Sequence, residues 1–353
     1  ILSDLLSNKL YISSLLLVFI YIISVVLSED KNTGFIAMNN KLSVLFIPIT
    51  FYHFRNTIKT KYILIGVSIV LAFIQITYAI YNAINIDDIS QLYSVGNVLP
   101  ILKIHHVQLA VLISCTILML ISITLDDIEK WKKIVAILIA FCLLLFIHFF
   151  AVRTGILLTY LFIISYLTNT IIQQKKWKML SIFLISIILS LSVFTVCSNN
   201  FSTKINYMRY DISRYVEHKQ DAFQFSDSRR LQAIENGILL IKKNPILGTG
   251  IGDIQTEINS IYIQQNPSLE KTYFYLPHSQ YIYFLSVFGI PLGIAAIVCF
   301  LYPIIYFYQN KKYVLWSMYI GLVIFGIWDA FLGTLFGTCI YSMLIGIGIK
   351  KIN

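Results

Sequence analysis

Long apolar runs recur along almost the whole chain, and they constrain its fold more than any other feature. A helix rises about 1.5 Å per residue, so about 20 apolar residues cross a bilayer core about 30 Å thick. Ten candidate spans are present in the 353 residues: Leu10–Leu27, Lys41–Phe54, Tyr62–Ile84, His106–Leu125, Ile134–Val152, Gly155–Ile172, Leu180–Ser198, Ser279–Phe307, Leu315–Gly333 and Leu335–Ile349. The second is short and follows Asn39 and Asn40. The eighth is long and contains Gly289-Ile290-Pro291. It should kink there, or break into an outer half-helix and a true span. Only 12% of residues are charged and 58% are hydrophobic, whereas a soluble domain carries about 25% charge. An ordinary soluble fold, a disordered chain and a disulfide scaffold are excluded. The expected fold class is all-α, a polytopic membrane helix bundle of about ten spans.

The excess of basic residues, 27 Lys+Arg against 17 Asp+Glu, is mostly topological. One set of connections receives fourteen: Lys9, Arg55, Lys59, Lys61, Lys130, Lys132, Lys133, Lys175, Lys176, Lys178, Lys311, Lys312, Lys350 and Lys351. The short connections on the other side receive Lys31, Lys41, Lys103 and Arg153. This alternation places both termini in the cytoplasm. Residues 1–198 then hold spans one to seven, 199–277 a helical external (periplasmic) cap, and 278–353 the last three spans. The cap has nine basic and eight acidic residues. Leu231, Ile234, Ile238 and Ile241 repeat at helical spacing, and Asn244-Pro245 ends that helix before Gly248, Gly250 and Gly252. No nucleic-acid motif is present. None of the five cysteines stands at C-x-x-C spacing, which argues against a metal or redox site. The chain begins at Ile1, and no short apolar leader with a cleavage site is visible.

A charge at membrane depth is costly and marks function. Arg153 stands between two apolar runs with only Thr154 and Gly155 as a turn. It is an anion clamp, or a snorkelling arginine on lipid phosphate. Arg229 and Arg230 open the cap helix, behind a possible N-cap at Asp227-Ser228. They can gather phosphate oxygens in bidentate fashion, or pair with Asp227 or Glu235. His278 follows Pro277 at the start of an apolar helix. The helix dipole and nearby arginines favour its neutral form, that of a base; the alternative is an interfacial histidine on a backbone carbonyl. His105 and His106 also lie at an external helix start, and His148 reads as a helix–helix contact. Asp329, the only acid of the last three spans, can orient His278 or pair with an arginine. Glu29-Asp30 reads as an exposed acidic loop rather than a metal site.

Ala151-Val-Arg-Thr-Gly155 resembles the first signature element of the O-antigen ligase and polymerase family. Ser228-Arg-Arg-Leu231 with Asn244-Pro-Ile-Leu-Gly-Thr-Gly-Ile-Gly252 resembles the second. Leu276-Pro-His-Ser-Gln-Tyr281 with Phe288-Gly-Ile-Pro-Leu-Gly293 resembles the third. The three stand in family order over about Lys103–Phe300. The family's usual Trp after the loop arginine is Ile234 or a neighbour here, and its usual Asn after the His is Gln280. The resemblance implies glycan transfer from undecaprenyl diphosphate to a lipid or glycan acceptor at the external face of the bacterial cytoplasmic membrane, without cofactor or metal. It implies diphosphate binding by Arg153 and Arg230, activation of the acceptor hydroxyl by His278, and support from Arg229, Asp329 and His106. Ligase and polymerase differ only in acceptor. A transporter or flippase of a lipid-linked or anionic substrate is the reading from another class.

Overall fold

In the computed structural model, residues 5–53, 106–124, 129–149, 153–173, 199–217, 225–267 and 269–349 are described, together with scattered helical positions between 66 and 84. The described residues form helices and turns and no strand. Twelve α-helices are named here: α1 (Lys9–Leu27), α2 (Lys31–Asn39), α3 (Leu42–His53), α4 (His106–Thr124), α5 (Lys130–Phe149), α6 (Arg153–Gln173), α7 (Asn199–Glu217), α8 (Ser226–Lys243), α9 (Ile254–Gln265), α10 (Gln280–Gln309), α11 (Tyr313–Phe325) and α12 (Leu335–Ile349). Among the described residues, five stretches are long and apolar enough to cross a membrane: Lys9–Leu27, Lys31–Tyr52, Lys130–His148, Arg153–Gln173 and Gln280–Gln309. Val107–Ser122, Tyr313–Phe325 and Leu335–Ile349 are apolar but shorter. The expected span at 180–198 lies outside the described residues, as does much of that at 62–84.

The chain divides into two compact units. The second comprises Lys59–Ser213 and Tyr313–Leu322. Its α4, α5 and α6 pack around Leu109, Ile113, Ile117, Leu143, Ile147 and Ile156. Helices α4 and α6 approach closely because Gly155 sits on Ala110, where an added Cβ would lie 2.4 Å from the alanine methyl. Ser114 Oγ meets Thr159 Oγ1 at 2.8 Å and donates to the Gly155 carbonyl at 3.2 Å. Small residues and hydroxyls of this kind are what bring apolar helices together in lipid. On α5, Ile134, Ile137, Leu138, Phe141 and Leu145 are exposed, a surface suited to acyl chains.

The first unit comprises Ile1–Ile58, Arg214–Lys312 and Val323–Asn353. At one end of it, Asn8 Nδ2 donates to Tyr306 Oη at 3.1 Å, and Lys312 Nζ donates to the Gly348 carbonyl. Lys312 is buried and points inward to cap α12. Burial lowers its ammonium to about 8.

The opposite end is organised by a broken helix. Gly289 has φ 73° and ψ 175°, which no helix continues through. The halves 280–288 and 290–309 fold back on each other. A Cβ at Gly293 would lie 3.0 Å from Leu285 Cα, and the Phe300 ring meets those of Phe284 (6.1 Å) and Tyr281 (6.2 Å). The break frees the Ser286 and Val287 carbonyls. Pro291 has no N–H to give Val287, and the Ile290 N–H turns elsewhere. The loop after α8 takes up all three groups. Thr249 N donates to Ser286 O (2.9 Å), Gly250 N to Val287 O (3.0 Å), and Ile290 N to Pro245 O (2.7 Å). This backbone clasp joins the second and third signature elements. It also rests on α1, where Ile251 N and Gly252 N donate to Ser24 Oγ and Ser28 Oγ. The Asp253 carboxylate accepts from Glu29 N and Asp30 N.

Helix α8 departs from its expected packing. Its buried residues are Ser228, Ala233, Asn236, Gly237 and Leu240, whereas Ile238 and Leu239 are exposed. Gly237 explains this: its missing Cβ lets Pro277 and Ile282 approach. Ser286 Oγ donates to the Gly237 carbonyl at 3.0 Å. The small face is the closest-packing face, so of the larger apolar stripe Leu231, Ile234 and Ile241 are only partly buried and Ile238 is exposed. The helix begins at Ser226 with Phe225 as N-cap and no side-chain capping bond, not at Asp227-Ser228.

Gly289→Ala should destabilise the purified chain by about 2 kcal/mol or more, because alanine adds left-handed strain and a clash. Its Cβ would lie 2.2 Å from the Ile246 carbonyl oxygen. Thermal melting in detergent checks this. An unchanged melting temperature would remove the clasp from the account.

Candidate active site

The approach to α10 carries Tyr273, Phe274, Tyr275, Leu276, Pro277 and His278 in sequence. Two contacts hold it against the cap. Tyr262 of α9 stacks on Phe274 (5.0 Å, 5°), and its hydroxyl donates to the Tyr275 carbonyl at 3.4 Å. Arg229 of α8 donates from Nε to Phe225 O (3.2 Å) and from Nη1 to Tyr275 Oη (3.1 Å). Its guanidinium lies 5.5 Å from the Tyr275 ring centroid and 5.6 Å from that of Tyr273. The Tyr275 ring meets His278 edge-on at 5.5 Å. Arg229 is therefore engaged in holding the tyrosine that flanks His278. Of the arginine pair, Arg230 is the charge that acts on Asp329.

Asp329 lies in the turn between α11 and α12, not in a continuing span. Burial raises its carboxyl to about 6, and Arg230 opposes that rise. The turn is tied to the residues just after His278. Gln280 N donates to Gly326 O at 2.7 Å, Ser279 Oγ to the same carbonyl at 3.4 Å, and Leu332 N to Gln280 Oε1 at 2.9 Å. Gln280 is fully buried, so the residue that departs from the family's Asn fastens the Asp329 turn. In the first unit, the fold thus associates His278, Arg229, Arg230 and Asp329 through α8, the strap at 273–279 and one turn.

Lys41, counted from the sequence among charges in an external connection, is buried in the structure. It falls at the break between α2 and α3, inside the 22-residue apolar stretch Lys31–Tyr52. It is only 2% exposed. Its ammonium donates to the Leu332 carbonyl and lies 5.1 Å from the Tyr21 ring centroid. A polar break in an unusually short apolar run was the available signal.

Arg153 and His106 belong to the second unit. Arg153 is half-buried and opens α6, and His106 opens α4. The Gly155–Ala110 and Thr159–Ser114 contacts bring these two helix starts to one end of the unit. The His106 side chain and all of His105 lie outside the described residues. His148 is a helix–helix contact: Nδ1 meets Leu144 O at 2.8 Å and Nε2 meets Tyr160 Oη at 3.2 Å. Asp30 caps α2 through Thr33 N at 3.0 Å. Among the described residues, no group of three His, Cys, Asp or Glu stands where it could hold a metal ion.

A family model described as O-antigen ligase matches residues 133–297. That stretch is similar to the O-antigen ligase family. The apolar helices mark the chain as an integral membrane protein, and the matched segment is similar to a family of the O-antigen ligase or polymerase type of glycosyl transfer. No curated protein matches the chain. The O-antigen ligase segment contains Arg153, Arg229, Arg230, His278 and the whole clasp, whereas His106, Asp329 and Lys41 fall outside it.

The raised Asp329 carboxyl gives a signed pH effect. Its usual value is about 4, so between about pH 4 and 6 the folded chain binds more protons than the unfolded one. Asp329 therefore contributes stability that is fully present below pH 4 and is lost as pH rises to about 6. Melting profiles of wild type and Asp329→Asn should differ in slope across that window, with the variant flatter. Parallel profiles would contradict the assignment.

Proposed function

We propose that this protein transfers a glycan from undecaprenyl diphosphate to an acceptor hydroxyl, as an inverting, metal-independent ligase at the external face of the bacterial cytoplasmic membrane. The observation that carries this reading is the coincidence of the O-antigen ligase match with the clasped elements bearing Arg230 and His278. The glycosyl diphosphate already has a good leaving group, so no general acid is needed. The reaction needs cations for the departing diphosphate and a base for the acceptor. Arg230 and Arg153 supply the charge, with planar forks suited to phosphate oxygens. His278 takes the hydroxyl proton as the acceptor oxygen bonds to the anomeric carbon and the bond to the diphosphate oxygen breaks. Arg229 acts through Tyr275 to fix the imidazole. Asp329 orients Arg230 before the donor arrives. His106, at a helix start in the second unit, is a candidate acceptor contact.

A repeat-unit polymerase uses the same chemistry with a different acceptor. Deletion of the gene separates the two: loss of all long glycan from the anchor marks a ligase, and single repeats left on it mark a polymerase. Transport is the competing class, and the broken α10 favours considering it. Purified protein in detergent decides, since an enzyme releases undecaprenyl diphosphate from a lipid-linked glycan without a second compartment.

In that assay His278→Ala should fold and insert yet lose at least about 100-fold in turnover, the usual scale of a general base. Arg153→Lys and Arg230→Lys should each fail similarly, because a point charge replaces a fork. Near-normal turnover by the histidine variant would remove the base from the mechanism. Near-normal turnover by either lysine variant would reduce that arginine to an anchor.

A further inference from the structure

The clasp has an outer side that its hydrogen bonding leaves unexplained. Ile246 and Leu247, at its tip, are 70% and 60% exposed, and Ile238 and Leu239 of α8 are exposed beside them. An aqueous cap has no reason to present four large apolar residues together. The bond from Ile290 N to Pro245 O sets this tip next to the start of the 290–309 half of α10. There the exposed stripe Ile290, Ile294, Val298 and Ile305 begins, at spacings that keep one helix face. The tip therefore stands beside the start of this apolar stripe.

Length places the junction. The 20 residues of the 290–309 half rise about 30 Å, the thickness of a hydrocarbon core. Ile290, and the clasp tip with it, then lies at one boundary of that core. Backbone can enter this region only if its polar groups are satisfied within the protein. In the clasp, Pro245 O, Gly248 N, Thr249 N and Gly250 N are hydrogen-bonded to protein. Lys242 and Lys243 are exposed just before the tip, and Lys243 pairs with Glu257 at 2.7 Å. Lysines flanking an apolar tip suit the phosphate layer above it.

We infer that Ile246 and Leu247, supported by Ile238 and Leu239, form a membrane-contact surface whose partner is the acyl chains of the bilayer leaflet at that end of α10. The loop is a wedge in the lipid, not part of a water-bathed cap. This anchors the C-terminal end of α8, and so the helix that carries Arg230, to the bilayer surface.

The test uses the full chain with its five native cysteines replaced, carrying one new cysteine by Ile246→Cys or Leu247→Cys. Each is labelled with a fluorophore and reconstituted into phosphatidylethanolamine–phosphatidylglycerol vesicles. Gln255→Cys, on the exposed face of α9, is the aqueous control. Nitroxide-bearing phospholipid should quench the 246 and 247 labels at least about threefold more than the control, and iodide should quench them correspondingly less. Iodide quenching equal to the control overturns the proposal. Protection from both quenchers, with intermolecular crosslinking through position 246, also overturns it by showing a protein contact. Should cysteine replacement prevent folding, the native chain is photolabelled with a carbene-generating phospholipid. Label on the 244–252 peptide supports the wedge. Label on α10 peptides alone contradicts it. Neither measurement depends on the proposed glycan transfer.

Discussion

Three backbone hydrogen bonds across the break at Gly289 are the constraint on which the rest of the first unit depends. A helix interrupted in an apolar setting exposes carbonyls and amides that lipid cannot satisfy. Here a second segment, Asn244–Gly250, supplies the complementary groups. The glycines on both sides are needed because the two backbones come so close that a Cβ at Gly248 would lie 2.3 Å from Gly289 N. Two sequence elements about 40 residues apart are thereby one structural object. Its bend carries the start of α10 back beside its own second half, and with it His278.

Around the turn that follows α11, polar groups each hold another. Gln280 fastens the Gly326–Leu332 turn at both ends, and Lys41 holds the Leu332 carbonyl. A hydrophobic residue would fill the place of Lys41 at lower cost in apolar surroundings. Its ammonium instead fixes the turn that contains Asp329, and Asp329 feels Arg230. On the cap side, Arg229 fixes Tyr275 and Tyr275 flanks His278. The adjacent arginines thus have separate surroundings, one an aromatic strap and the other a carboxylate. Under the proposed mechanism, that separation assigns one to positioning and one to the diphosphate.

Much of this was legible in the sequence. Uninterrupted apolar runs gave the all-helical membrane character, and Gly289-Ile290-Pro291 announced the break. The three signature elements pointed to the family. What failed did so for physical reasons. The fold-back at Gly289 depends on which distant amides take the freed carbonyls, and no local pattern states that. On α8 the periodic large residues suggested the packed face, but Ala233 and Gly237 allow closer approach and won. Lys41 beside two asparagines looked like a solvated connection. Its burial follows from a carbonyl about 290 residues away in the chain.

The most direct test of the central claim is an experimental structure of the chain with undecaprenyl diphosphate bound in lipid nanodiscs. The account predicts phosphate oxygens within hydrogen-bond reach of the Arg230 guanidinium, with the His278 imidazole facing the terminal phosphate, where the sugar would be attached. Diphosphate bound elsewhere, with His278 turned away from it, would contradict the account.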